Sequence, residues 1–97
     1  MHAFNVVKFT VKPDQETAFL DAHRNGKAKW PGLLRGTIIK TGERSFCLIG
    51  EWQSADALTA ARPAMIKTLD SFRSLLEDQA GGRGITDAIS GPAALEL

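Results

Sequence analysis

The sequence predicts an α+β fold in which two helices pack on one face of an antiparallel sheet, in the order β-α-β-β-α-β. Three observations carry this reading. Ala3–Val11, Leu33–Lys40 and Ser45–Trp52 are rich in β-branched and aromatic residues. A stretch with apolar residues at helical spacing follows the first and the third of them. Only Thr41–Arg44, "TGER", separates the second from the third, so those two must form an antiparallel hairpin.

Along the first strand, "AFNVVKFTV" places Phe4, Val6, Lys8 and Thr10 on one side and Asn5, Val7, Phe9 and Val11 on the other. Pro13 suits the first turn of a helix, and Asp14 and Glu16 suit its positive end. Phe19, Leu20 and His23 then recur at helical spacing, and Gly26 supplies a stop. Trp30-Pro31-Gly32 reads as a loop, since the residue before a proline is biased away from helix. After the hairpin, Ser54 caps a second helical region with Asp56 in its first turn. Pro63 predicts an interruption, with one short piece to Ala61 and a longer helix beyond it carrying Met65, Leu69, Phe72 and Leu76 toward the core. "GGRG" at 81–84 predicts a flexible connection or lid. The last segment, Ile85–Leu97, predicts an edge strand broken or bulged at "SGP", 90–92.

No repeat, linker or low-complexity tract divides the 97 residues, which predict one domain over 1–97. At this length burial is marginal, and a partner subunit would add to it. Twelve basic residues against 11 acidic ones leave a net charge of +1, which argues against a nucleic-acid binder acting through bulk charge. No apolar run is long enough to span a bilayer, and "MHAFNVVKF" lacks the pattern of a secretory leader. The single cysteine, Cys47, cannot form an internal disulfide; it reads as a buried thiol in a cytoplasmic protein.

Helices can cover only one face of the sheet, yet both faces carry apolar side chains. The third strand sets Phe46, Leu48, Gly50 and Trp52 against Cys47, Ile49 and Glu51. The simplest consequence is a homodimer packed sheet against sheet; the alternative is a second face that stays open and merely somewhat apolar.

The element order, "VKPDQETAFLDAH" at 11–23 and "EWQSADAL" at 51–58 resemble the dimeric α+β barrel superfamily, and within it the antibiotic-biosynthesis-monooxygenase-like domains. Trp52, Ser54, Ala57 and Leu58 carry the most specific part of that likeness. The resemblance implies a ferredoxin-like protomer, a barrel made from two sheets, and often an exchanged C-terminal strand. It also implies oxidation of a polyketide-like aromatic without metal or flavin, haem degradation, or, as for many members, no known activity. The haem-degrading branch uses an Asn in the first strand, a Trp early in the second helical region and a His beyond it. Here the Trp position falls on Ala61, no His follows residue 23, and Asn5 reads one residue out of register and on the wrong face. Haem degradation is therefore not expected. The His that many members carry near Ala61 is missing too.

Glu51 and Trp52 are strand neighbours and so point to opposite faces. With Trp52 under the helices, Glu51 would point to the barrel side and suit acid–base work if buried. Otherwise it is solvated, or paired with Arg35 or Arg62. His23 is a candidate general base, or else a core-edge residue donating to a backbone carbonyl. Arg62, before the proline, could reach an anionic group of a substrate or simply face solvent. The candidate catalytic set is thus Glu51, His23 and Arg62, with Val7, Phe9, Ile49 and Trp52 as pocket walls. His2, His23 and Cys47 show no metal-ligand spacing, so neither a metal nor another cofactor is expected. Two functions fit: a cofactor-independent monooxygenase-like enzyme for a small aromatic molecule, or a non-catalytic homodimeric module that binds a small molecule.

Overall fold

The computed structural model describes residues 2–24, 30–77 and 86–97. Its elements are β1 (Ala3–Val11), α1 (Glu16–His23), β2 (Leu33–Lys40), β3 (Ser45–Trp52), α2 (Ala55–Phe72), a 3-10 turn (Arg73–Leu75), β4 (Leu76–Glu77) and β5 (Asp87–Pro92). All strand pairs are antiparallel: β3 lies between β2 and β1, and the far edge of β1 is shared by two strands. Thr10 and Val11 pair with β4, while Ala3 through Lys8 pair with β5. This is the ferredoxin-like β-α-β-β-α-β arrangement, with a two-residue strand added where α2 turns back.

The core lies between the sheet and the helices. Ala3, Phe9, Val11, Phe46, Leu48 and Trp52 supply its sheet side, and Phe19, Leu58, Ala61 and Phe72 its helix side. Phe9, Phe19, Phe46 and Phe72 meet at ring separations of 5.2–6.0 Å, the range in which edge-to-face and tilted pairs add to simple burial. The opposite face carries Phe4 and Val6 of β1, Ile39 of β2, Cys47 and Ile49 of β3, and Ile89 of β5. Within one chain Ile39 stays 42% and Ile89 69% exposed, whereas Cys47 is buried.

Three local expectations are corrected. Helix α1 starts at Glu16, because Pro13 and Asp14 form a turn in which Asp14 adopts φ 65°; Gln15 N–H bonds back to the Lys12 carbonyl at 3.2 Å. Pro63 does not divide α2, which runs unbroken for 18 residues. A proline removes a single donor, and Leu58 and Ala61 before it bury on the same side as Met65, Leu69 and Phe72 after it. That shared stripe outweighs a cost of about 3 kcal/mol. Ser90-Gly91-Pro92 makes no bulge; β5 keeps one register against β1 through Pro92, and Ala93 N–H adds a further bond to the His2 carbonyl at 2.8 Å. An edge strand accommodates Pro92 because its unpaired side needs no donor. The stop at Gly26 and the loop at 81–84 lie outside the described residues. Ser54 caps α2 as its residue type requires, accepting from Ala57 N–H at 3.1 Å.

Candidate functional site

Helix α2 leaves part of the sheet uncovered, and the gap is a cavity of about 360 Å³. Asn5, Val7 and Phe9 of β1, Leu48 of β3, and Ala88 and Ser90 of β5 form its floor. Leu58, Arg62, Met65, Leu69 and Phe72 of α2 form its roof, with His23 from the end of α1 and Trp30 from the loop before β2. The volume lies at the small end of the roughly 300–1,000 Å³ usual for small-molecule pockets, and the walls are mostly apolar.

One end is built around Phe9 and Phe72. His23 packs against both, with ring centroids 6.0 and 4.6 Å away, and against Phe19 at 4.9 Å. Its Nδ1 lies 3.0 Å from the Phe19 carbonyl. A carbonyl only accepts, so Nδ1 carries the proton and the neutral ring keeps a lone pair on Nε2. Burial pushes the imidazole below its usual value near 6.5, and the bond to Phe19 pulls partly the other way. The ring is therefore held in its neutral form, a weaker base than a free imidazole, at the wall of the cavity.

The other end is built around Trp52, which is fully buried. Its Nε1 donates to Asn5 Oδ1 at 2.7 Å. An indole can only donate, so the amide oxygen must face Trp52 and Asn5 Nδ2 must face away from it. The partner of Nδ2 is the Met65 sulfur, 3.9 Å away. Trp30 stacks on Trp52 at 6.4 Å with planes 28° apart. Its own Nε1 is buried and has no hydrogen-bond partner among the described residues. Gly50 makes room for this group: a Cβ there would collide with Asn5 Oδ1 and stand 2.9 Å from Trp52 Nε1.

The sequence candidates divide between the two faces of the sheet. Val7, Phe9, His23 and Arg62 line the cavity, and Arg62 donates to Ser90 Oγ at 3.2 Å. Trp52 stands behind the wall and holds Asn5. Ile49 and Glu51 lie across the sheet from the cavity, which corrects their placement in one site with the others: the cavity forms under the helices, where even-numbered β3 residues point. Glu51 pairs with neither Arg35 nor Arg62 but with His2 Nδ1, 2.7 Å away. Asn5, read as facing the wrong way, faces the cavity. Asn5, Trp30, Met65 and Thr68 are cavity residues the sequence did not mark. Only the alternation of β1, which groups Asn5 with Val7 and Phe9, pointed to one of them. Among the described residues no group of three or more His, Cys, Asp or Glu side chains could hold a metal ion, and no helix is long and apolar enough to cross a membrane.

Comparison with solved structures finds the same fold in other proteins. A cofactor-independent oxygenase from Streptomyces nogalater, SnoaB, superposes with a TM-score of 0.70 at 21% identity, covering 99% of this chain and 96% of that one. A monooxygenase from Streptomyces coelicolor, solved with the ligand nanaomycin D, gives 0.69 at 20% identity over 98% and 89%. A protein of unknown function from Nitrosomonas europaea gives 0.75 at 14% identity over 99% and 92%. At these identities the likeness is one of fold. Among curated protein sequences none matches the chain. The sequence model of the antibiotic biosynthesis monooxygenase family matches residues 3–66, a span that holds two of the three strands of the cavity floor, His23, Trp30 and the Arg62 turn of α2; by that match over more than half its length, the chain belongs to the antibiotic biosynthesis monooxygenase family.

Proposed function

We propose that the protein is a cofactor-independent oxygenase acting on a flat, electron-rich aromatic molecule bound between the sheet and α2. The observation that carries this reading is His23, a neutral imidazole with Nδ1 committed to a backbone carbonyl and Nε2 left unprotonated, in the wall of an apolar cavity. Similarity to oxygenases of the same fold supports it.

In this reading Val7, Phe9, Leu48 and Leu69 sandwich the ring system and exclude water. His23 Nε2 removes a proton from an activated C–H or O–H of the substrate. The anion formed in a dry pocket is less stabilised than in water and gives up electrons more readily. For a ring methylene the balance is complete without another reductant: CH2 and O2 become C=O and H2O, with all four electrons supplied by the carbon. Arg62, on the exposed side of α2, holds an anionic substituent at the cavity edge. Glu51 has no part in this chemistry.

The second half of the proposal is a homodimer formed through the opposite face, where Phe4, Val6, Ile39, Ile49 and Ile89 make one apolar strip. A second copy of the same strip is the complementary surface that a two-fold contact requires. A reducing, cytoplasmic setting suits the single buried thiol of Cys47.

Oxygen uptake with anthrone as substrate tests the enzyme reading. Wild-type protein is expected to consume oxygen above the buffer rate, and His23→Gln to lose most of the increment. If anthrone and related quinols bind without any uptake, the chain is a small-molecule-binding module and the oxygenase reading fails.

A further inference from the structure

Helix α2 is held at its two ends and unsupported between them. Leu58 and Ala61 are buried at one end and Phe72 at the other, whereas no residue of 62–71 is buried. This span lies over the cavity, with Met65 and Leu69 lining it. The helical bonding is interrupted where the span begins. Pro63 has no N–H, so the bond from residue 63 back to the Thr59 carbonyl cannot form. Farther along, the hydroxyls of Thr68 and Ser71 donate to the carbonyls of Ala64 and Thr68, and bonds of this kind slightly destabilise and bend helices.

The cavity opens beside this span. Of the residues lining it, those that are exposed are Arg62 and Ile66 of α2 and residues 88–90 of β5. Ile66 stands at the rim 55% exposed. Arg62, one residue before Pro63, crosses the rim and donates from Nη2 to Ser90 Oγ at 3.2 Å. We infer that residues 63–71 of α2 form a cover that lifts at Pro63 to pass a ligand between α2 and β5, and that the Arg62–Ser90 bond is its latch. Bending at Pro63 widens or narrows the gap to β5, and the bond that ties the two elements beside the hinge sets how often the gap opens. The bond is made in the free chain and can re-form over a neutral ligand. It therefore slows entry and exit alike and leaves affinity unchanged. This inference rests on the cavity as the binding site and not on oxygen chemistry within it.

The test is stopped-flow fluorescence on the whole protein with Prodan, a neutral naphthyl ketone whose emission shifts in apolar surroundings; titration gives Kd. Ser90→Ala and Arg62→Met should each raise the association and dissociation rate constants about two- to fivefold, the worth of one exposed hydrogen bond. The double variant should add little, because both changes remove the same bond. Pro63→Ala restores the missing donor and should lower both rate constants about threefold or more, a part of the cost of an interior proline. In every variant Kd should stay near the wild-type value. A side chain that merely held the ligand would change dissociation and Kd instead. Unchanged rates in the latch variants or in Pro63→Ala, faster rates in Pro63→Ala, a change confined to dissociation, or no binding of Prodan to the wild type would overturn the inference. Ser90 is exposed on β5, so its variant reads the latch even where changes in α2 fold poorly. Gated Prodan rates without oxygen uptake on anthrone would keep the latch and remove the oxygenase reading. Oxygen uptake beside Prodan rates that none of these variants alters would do the reverse.

Discussion

Gly50→Ala probes the closest packing in the molecule, because the added methyl enters the Trp52–Asn5 pair. It would overlap Asn5 Oδ1 and lie 2.9 Å from Trp52 Nε1; Trp52 is fully buried and cannot yield, so Asn5 can retreat only toward the cavity it borders. Relief requires Asn5 to swing away, which strands the Trp52 donor at a cost of about 1–3 kcal/mol, or a shift of β1 from β3, an overpacking cost of about 1–3 kcal/mol. The cheaper route is taken, and alanine returns about 0.5–1 kcal/mol of strand preference over glycine. The net loss is about 1–2 kcal/mol, or at least about 4 °C in Tm for a domain of this size. Urea and thermal unfolding followed by tryptophan fluorescence measure it. Asn5→Ala should cost less in the Gly50→Ala background than in the wild type, because the two changes damage the same bond. Gly50→Ala as stable as wild type, or strictly additive with Asn5→Ala, would refute the packing argument.

Three further outcomes are expected. Ser54→Ala should lose about 1 kcal/mol in urea unfolding, the worth of an N-cap that accepts from Ala57 N–H. The lowered pKa of His23 means that the unfolded chain binds its proton first, so stability should be unaffected above about pH 6.5 and fall as pH drops below it until the folded-state pKa is reached. His23→Leu should flatten that limb, and an unchanged pH–stability curve would contradict the burial of the ring. Ile49→Lys, on the face away from the cavity, should convert a dimer to a monomer in sedimentation; a dimer that survives the change places the contact elsewhere.

Much of the fold was legible because the three long strands are rich in β-branched and aromatic residues and two of them flank a four-residue turn. Their bounds in the structure, Ala3–Val11, Leu33–Lys40 and Ser45–Trp52, are those that composition and turn predict. Pro63 misled because local propensity is a weak force beside a buried stripe running through it. The site was less legible. Alternation sorted β3 into two sets but not into the covered cavity and the open face, so Ile49 and Glu51 were grouped with residues across the sheet. Asn5 was discounted on register, and its role depends on Trp52, 47 residues away. Trp30 carried no signal at all: a tryptophan before a proline reads as a loop anchor, and the missing partner of its N–H is a property of the packed interior. His23 was readable as a core-edge residue donating to a backbone carbonyl, and the structure shows that bond, from Nδ1 to Phe19; its use as a base belongs to the proposed chemistry.

The account turns on oxygen reaching an anion made in this cavity, and isotope labelling tests that most directly. Wild-type protein and anthrone are mixed under 18O2 and the anthraquinone formed is weighed by mass spectrometry against an enzyme-free blank. The account predicts product formed faster than in the blank with one 18O in the new carbonyl, and a rate reduced in His23→Gln. Product at the blank rate, or accelerated product without the label, would contradict it.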